Sequence, residues 1–137
     1  MKSSVIDAGV LVKLFFEEPH SEACKLALRD AGQLIAPDHI WTESANVVSK
    51  KVRSGSLAIH DADSLLADIM GVPIGTHLAW QLVRPALQIA LSTKQSVYDC
   101  MYVALAYEQN CKLLTADERL HNALARTRWA PHIRLVA

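Results

Sequence analysis

Short apolar runs alternating with amphipathic helical stretches constrain this chain more than any other feature. Ser4-Val5-Ile6 is a brief β-type run that ends at Asp7, and Ala8 to Phe16 then reads as helical until Pro19 stops it. His20 to Ala31 follows as a helix with Gly32 as its C-terminal cap. Leu34-Ile35-Ala36 is a second short strand closed by Pro37. His39 to Arg53 is a helix with Ile40, Val47, Val48 and Val52 on its apolar stripe, and Gly55 ends it. Ala58 to Met70 turns Leu65, Leu66 and Ile69 inward and Asp61, Asp63 and Asp68 outward. A weak strand is expected around Ile74 to His77. Next comes a helix with the stripe Leu82, Val83, Ala86, Leu87, Ala90 and Leu91, in which Pro85 sits in the first turn or causes a kink. Val97 to Gln109 is the strongest helix, Lys112 to Thr115 a strand, Asp117 to Arg126 a helix, and His132 to Val136 a final strand.

Alternating β and α elements imply an α/β fold, a mostly parallel central sheet with helices on both faces. The chain has 137 residues, which fits one domain over 1–137, and no repeat, low-complexity stretch or linker divides it. In such sheets ligands bind beyond the carboxyl ends of the strands, where the strand order reverses. The residues just after each strand are therefore where chemistry is expected.

Several classes drop out. The longest stretch free of Asp, Glu, Lys and Arg is Ile69 to Val83, 15 residues, whereas a membrane span needs roughly 20 apolar ones. The N-terminal apolar run is broken by Asp7 and Lys13 and does not read as a signal peptide, so a cytoplasmic protein is expected. Cys24, Cys100 and Cys111 are odd in number and widely separated, which suits small core residues rather than a disulfide frame or a zinc site.

Four acids stand close to helix starts. Asp7 follows the first strand, Glu43 lies in the opening turns of the helix after the second, Asp99 in the first turn of the Val97 helix, and Asp117 two residues after Thr115. Taken singly, Asp7, Asp99 and Asp117 are explained as well by helix capping, which favours acids at N-termini. Jointly that explanation is weaker. Four carboxylates on one crevice repel one another and resist ionisation. A divalent cation removes the penalty, and an all-oxygen donor set suits Mg²⁺ or Mn²⁺ rather than zinc.

The stretches Val5-Ile6-Asp7-Ala8, Glu43-Ser44-Ala45-Asn46-Val47, Val97 to Ala106 and Leu114-Thr115-Ala116-Asp117-Glu118-Arg119-Leu120 resemble the PIN-domain ribonucleases, most of all the VapC-type toxins of type II toxin–antitoxin pairs. The 18-residue separation of Asp99 and Asp117 adds specificity that a lone Thr-Ala-Asp lacks. The resemblance implies a PIN-like three-layer α/β/α sandwich. It also implies Mg²⁺ or Mn²⁺ held by Asp7, Asp99 and Asp117 with Glu43, and hydrolysis of RNA to 5′-phosphate and 3′-hydroxyl ends. Thr115 matches a hydroxyl residue that accompanies the fourth acid, and Asn46 a polar neighbour of the second. Gly9 departs from the family's frequent Ser, Thr or Asn. A homodimer and a cognate antitoxin protein are the implied partners, with an apolar groove built partly by Phe15 and Phe16 to receive the antitoxin. The rival reading is a catalytically idle RNA- or protein-binding module of the same fold. A haloacid-type phosphatase is disfavoured because it would want Asp where Gly9 stands, and a receiver domain because no acidic pair flanks the first strand's end.

The net charge of zero, 14 basic against 14 acidic residues, at first argues against an RNA partner. Its distribution does not. Residues 119 to 137 carry Arg119, Arg126, Arg128 and Arg134 with no acid. Trp41 and Trp80 are expected in core or dimer packing, and Trp129, beside Arg128, is a weaker candidate for stacking on a base. The six histidines are scattered, and surface roles suit them better than catalysis.

Overall fold

The computed structural model describes residues 2–136. The elements are β1 (Ser3–Ile6), α1 (Ala8–Lys13), α2 (Ser21–Arg29), β2 (Gln33–Pro37), α3 (Ile40–Arg53), α4 (Ala62–Met70), β3 (Gly75–His77), α5 (Val83–Thr93), α6 (Val97–Glu108), β4 (Lys112–Thr115), α7 (Glu118–Leu124) and β5 (Ile133–Leu135). Three 3₁₀ turns, Ile59–Asp61, Ala79–Leu82 and Ala130–His132, lead into α4, α5 and β5.

The five strands form one parallel sheet in the order β3-β2-β1-β4-β5. Val5 pairs with Ile35 on one side and Leu113 on the other, so β1 is central. Parallel sheets covered on both faces carry continuous apolar strands. Val5, Ile6, Leu113 and Leu114 accordingly have at most 3% of their surface exposed. At the entry to β2 the chain passes so close to β1 that a Cβ on Gly32 would run into the Lys2 carbonyl, and Gly32 also holds a left-handed φ of +73°. Only glycine meets both demands.

Helix α6 explains why its sequence pattern is apolar all round rather than striped. It lies against β1, β2 and β4 on one side and α5 on the other, and every residue from Cys100 to Ala106 is buried. The cysteines behave as expected, with Cys24 and Cys100 buried and Cys111 half-buried, none of them paired.

Several local expectations change. Helix α1 ends at Lys13 instead of Phe16, because Leu14 and Phe15 tighten into three-residue turns and the Ser21 hydroxyl donates to the Phe16 carbonyl. The helix expected from Ala58 begins as a 3₁₀ turn and becomes α-helical only at Ala62. On α5 the inward face is Ala86, Ile89 and Ala90, while Val83, Leu87 and Leu91 point outward, 45%, 48% and 75% exposed. The alanines let α5 approach α6 closely, and the larger residues are left on the far side. The third tryptophan, Trp129, is buried with the Arg128 guanidinium 4.7 Å over its ring, which removes it as a base-stacking platform. Trp80 is 71% exposed and is no part of the core, whereas Trp41 packs half-buried against it.

Candidate active site

The strand order reverses at β1. From there the chain lays β2 and β3 on one side, then crosses over to place β4 and β5 on the other. At such a reversal the connections leave in opposite directions and open a crevice at the carboxyl ends of the central strands. Asp7 leaves the end of β1 and Thr115 closes β4, so both stand at this opening.

Two of the four acids cap helices, as the capping reading requires, and Asp99 lies in the first turn of a helix that Ser96 caps. Asp7 Oδ1 accepts the Val10 amide at 2.9 Å, Asp117 Oδ1 accepts the Leu120 amide at 3.1 Å, and Ser96 caps α6 by accepting the Asp99 amide at 3.1 Å. Capping and convergence are not exclusive. Asp7, Glu43, Asp99 and Asp117 all line one cavity of about 310 Å³, together with Gly9, Lys13, Asn46, Lys50 and Tyr102. A carboxylate oxygen that accepts one amide keeps a second lone pair for another partner.

Thr115 ties two of the acids together. Its hydroxyl, fully buried, donates to Asp7 Oδ2 at 2.6 Å and accepts the Asp117 amide at 3.1 Å. Asn46 lines the cavity from α3, one turn after Glu43. A Cβ on Gly9 would sit 3.4 Å from Asp7 Oδ1, so the absence of a side chain there leaves the carboxylate uncrowded.

The electrostatics follow from the crowding. Burial pushes the Asp7 carboxyl up to about 6, and the charges of Asp99 and Asp117 add to it against the pull of the Thr115 hydroxyl and Val10 amide. Asp99 is raised too, by burial and then by Asp117 and Glu43, despite help from Ser96. Glu43 goes the other way. Burial raises it, but hydrogen bonds from His39 and Tyr102 outweigh that and hold it below the usual range.

The clamp on Glu43 is invisible to local reasoning. Tyr102 donates its hydroxyl to Glu43 Oε1 at 2.6 Å, and His39 Nε2 stands 3.3 Å from the same oxygen and 3.2 Å from the Tyr98 carbonyl. Both neighbours of Nε2 are acceptors, so that nitrogen carries the proton. The His39 and Tyr102 rings meet at 4.7 Å between centroids. Burial and the Glu43 charge keep Tyr102 protonated. A signal for these residues existed in the spacing, since His39 precedes Glu43 by one helical turn and Tyr102 follows Asp99 by another.

Cations near the site divide into bound and free. Lys13 is held by Glu18 at 3.3 Å, and Glu18 also takes Lys51 at 3.0 Å. Lys50 is exposed at the cavity and makes no ion pair among the described residues. Asp7, Asp99 and Asp117 likewise lack an ion-pair partner there. Uncompensated carboxylates, with Asp7 and Asp99 raised in proton affinity, form an all-oxygen donor set that suits a hard divalent cation. Among the described residues, no three side chains stand close enough to close a metal shell by themselves.

Comparison with known proteins bears on this geometry. The family model described as PIN domain matches residues 4–125. Ribonuclease VapC3 of Pyrobaculum aerophilum is 32% identical over 118 residues, covering 85% of this chain and 90% of the relative. Among solved structures, a toxin–antitoxin complex from Klebsiella pneumoniae superposes with a TM-score of 0.68 at 15% identity, covering 98% of both chains. The Pyrobaculum aerophilum protein PAE2754 superposes with a TM-score of 0.67 at 20% identity, over 96% of this chain and 83% of that one.

Proposed function

The chain belongs to the PIN-domain family, among its VapC-type members, and from that premise we propose that it is a metal-dependent endoribonuclease acting as the toxin of a toxin–antitoxin pair. One observation carries this reading: four carboxylates, from just after β1, from α3, from α6 and from just after β4, line a single cavity, and three of them form no ion pair among the described residues. An idle binding module would have no use for a cluster that costs stability when its acids ionise. The test is incubation of the purified protein with RNA and Mg²⁺ or Mn²⁺, followed by mapping of the new 5′ ends. Cuts with 5′-phosphates that disappear with chelator support the reading, and intact RNA under all conditions overturns it.

In this mechanism Asp7, Asp99, Asp117 and Glu43 would hold the ion. When bound, the ion supplies an activated water and a positive charge against the phosphodiester. Thr115 fixes the orientation of Asp7 and the backbone of Asp117. Lys50, free and exposed at the rim, draws the RNA backbone toward the acids. Tyr102 and His39 position Glu43 and keep it ionised. Replacing Tyr102 by Phe removes one hydrogen bond to Glu43 and raises its proton affinity. The expected result is cleavage roughly 10–100-fold slower at limiting Mg²⁺, rescued in part by higher Mg²⁺, with the fold unchanged by circular dichroism. Loss that no Mg²⁺ concentration restores would show that Tyr102 acts otherwise.

The partners proposed are a second copy of the chain and an antitoxin protein. Leu78, Trp80, Val83, Leu87 and Leu91 are each 45–75% exposed, and the last three lie at four-residue spacing on one face of α5. A helical face of this kind can meet itself across a two-fold axis, Leu87 against Leu87 of the second copy. Leu87→Asp with Leu91→Asp is expected to shift the protein from dimer to monomer by sedimentation, while α5 keeps its inward face and its helicity. A dimer that survives both changes places the interface elsewhere. The antitoxin fits the apolar surface between the turn that follows α1 and helix α3, where Phe15, Phe16 and Val47 pack only partly buried against the core. Action in the cytoplasm follows from RNA as the substrate. No described helix is long and apolar enough to cross a membrane.

A further inference from the structure

At the edge of the sheet opposite the acids, where the strands begin, lies a cavity of about 710 Å³. It is lined by Lys2, Lys112 and Arg134, with His132 and Asn110 beside them and Asp30 as its one acid. The strand register gathers these groups. Ser4 pairs with Lys112 and Leu114 with Arg134, and alternation along parallel strands puts all four on one face. From strand spacing and rise, the Cα atoms of Lys112 and Arg134 stand about 8 Å apart. All three cations are exposed and none forms an ion pair among the described residues. Like charges gathered around one concavity repel, and an anion between them relieves that repulsion.

The polar groups say more about the anion. His132 donates Nδ1–H to the Cys111 carbonyl at 2.9 Å and is braced edge-on by Tyr107, which leaves its other nitrogen available. Asn110 holds a left-handed φ of 51° at the turn between α6 and β4, and Gln109 adds a second amide to the lining. Leu114 and Pro131 supply apolar surface. Cations for a phosphate, amides for hydrogen-bonding edges and an apolar wall within several hundred Å³ are the components of a nucleotide pocket. We infer that this cleft is a second binding site, separate from the acidic crevice, for a nucleotide phosphate presented either by an RNA strand or by a free mononucleotide. A strand of four residues separates the two edges by roughly 13 Å, so one nucleotide cannot occupy both. The inference does not depend on hydrolysis at the acids.

The test uses the full chain without divalent metal, so that binding is read without turnover. Adenosine monophosphate, inorganic phosphate and a short single-stranded RNA are titrated in turn while the amide resonances of Asn110, Cys111, Lys112 and His132 are followed. The nucleotide is expected to shift these resonances and to bind tighter than phosphate. The Lys112→Glu, Arg134→Glu variant changes two exposed positions and is expected to lose at least about tenfold of that affinity. If RNA is the source, the same variant weakens RNA binding and lowers its salt dependence by about two units of slope. If a free nucleotide is the source, RNA affinity stays as in the parent while the mononucleotide response is lost. Resonances in the cleft that stay still with all three probes overturn the inference, as does phosphate binding no weaker than the nucleotide. RNA cleavage with Mg²⁺, measured separately on both proteins, keeps this result distinct from the fate of the ribonuclease reading.

Discussion

Asp7→Asn is expected to abolish RNA cleavage while making the metal-free protein more stable at neutral pH. The loss of activity follows from position, since Asp7 is the acid at the centre of the crevice and is coupled to both Asp99 and Asp117. A drop of at least about 100-fold is the scale for removing a preorganised charge from such a site. The gain in stability follows from the raised proton affinity. Asp7 ionises at about 6 in the folded chain against an ordinary value of 3.8, so folding favours its protonated form. Stability therefore falls as pH rises from 3.8 through 6, by roughly 3 kcal/mol once Asp7 is fully ionised. Asparagine keeps the cap on Val10 and carries no charge. Its melting temperature should exceed the parent's by several degrees at about pH 7.5, with the gap closing near pH 4. Equal melting temperatures at both pH values, or full cleavage by the variant, would remove Asp7 from the centre of the site.

Divalent metal should close most of that gap. Addition of Mg²⁺ to the parent offsets the repulsion among ionised acids, and binding only to the folded chain adds about 2.7 kcal/mol at a hundredfold excess over the dissociation constant. The parent then melts higher and cuts RNA, and chelator returns both properties to the metal-free values. Asp99→Asn, which removes a second member of the coupled set, is expected to lose both the thermal response and the cleavage. Replacement of Mg²⁺ by Ca²⁺ separates the two effects, because Ca²⁺ tolerates irregular oxygen shells and binds without demanding the same octahedral geometry. Thermal stabilisation that persists in Asp99→Asn would mean that the ion sits elsewhere.

Much of the acidic cluster is legible in the chain because most of its members also perform a local task. Asp7 and Asp117 cap α1 and α7, and Ser96 caps α6 three residues ahead of Asp99, so helix-start signals and candidate ligands coincide. The expected strands β1, β2 and β4 appear with boundaries shifted by one residue or none. Departures occur where a local pattern has two uses. The α5 stripe has the expected period, yet half its members face outward, because periodicity marks apolar residues without saying which partner covers them. Trp129 with Arg128 beside it has the sequence pattern of an exposed stacking platform, and the arginine instead lies on a buried ring.

By itself the sequence determined the alternation of strand and helix and the placing of acids at helix starts, because capping and periodicity act over three or four residues. Only the tertiary structure decided which of these acids meet. The order β3-β2-β1-β4-β5 brings Thr115 to Asp7 across 108 positions, and the packing of α6 on the sheet brings Tyr102 to Glu43 across 59. It also decided that Lys2, Lys112 and Arg134 share a cleft at the far edge. Those meetings depend on which strands lie side by side and in what register. A hydrogen-bonded ladder sets both, and it joins segments whose neighbours in the chain carry no trace of the pairing.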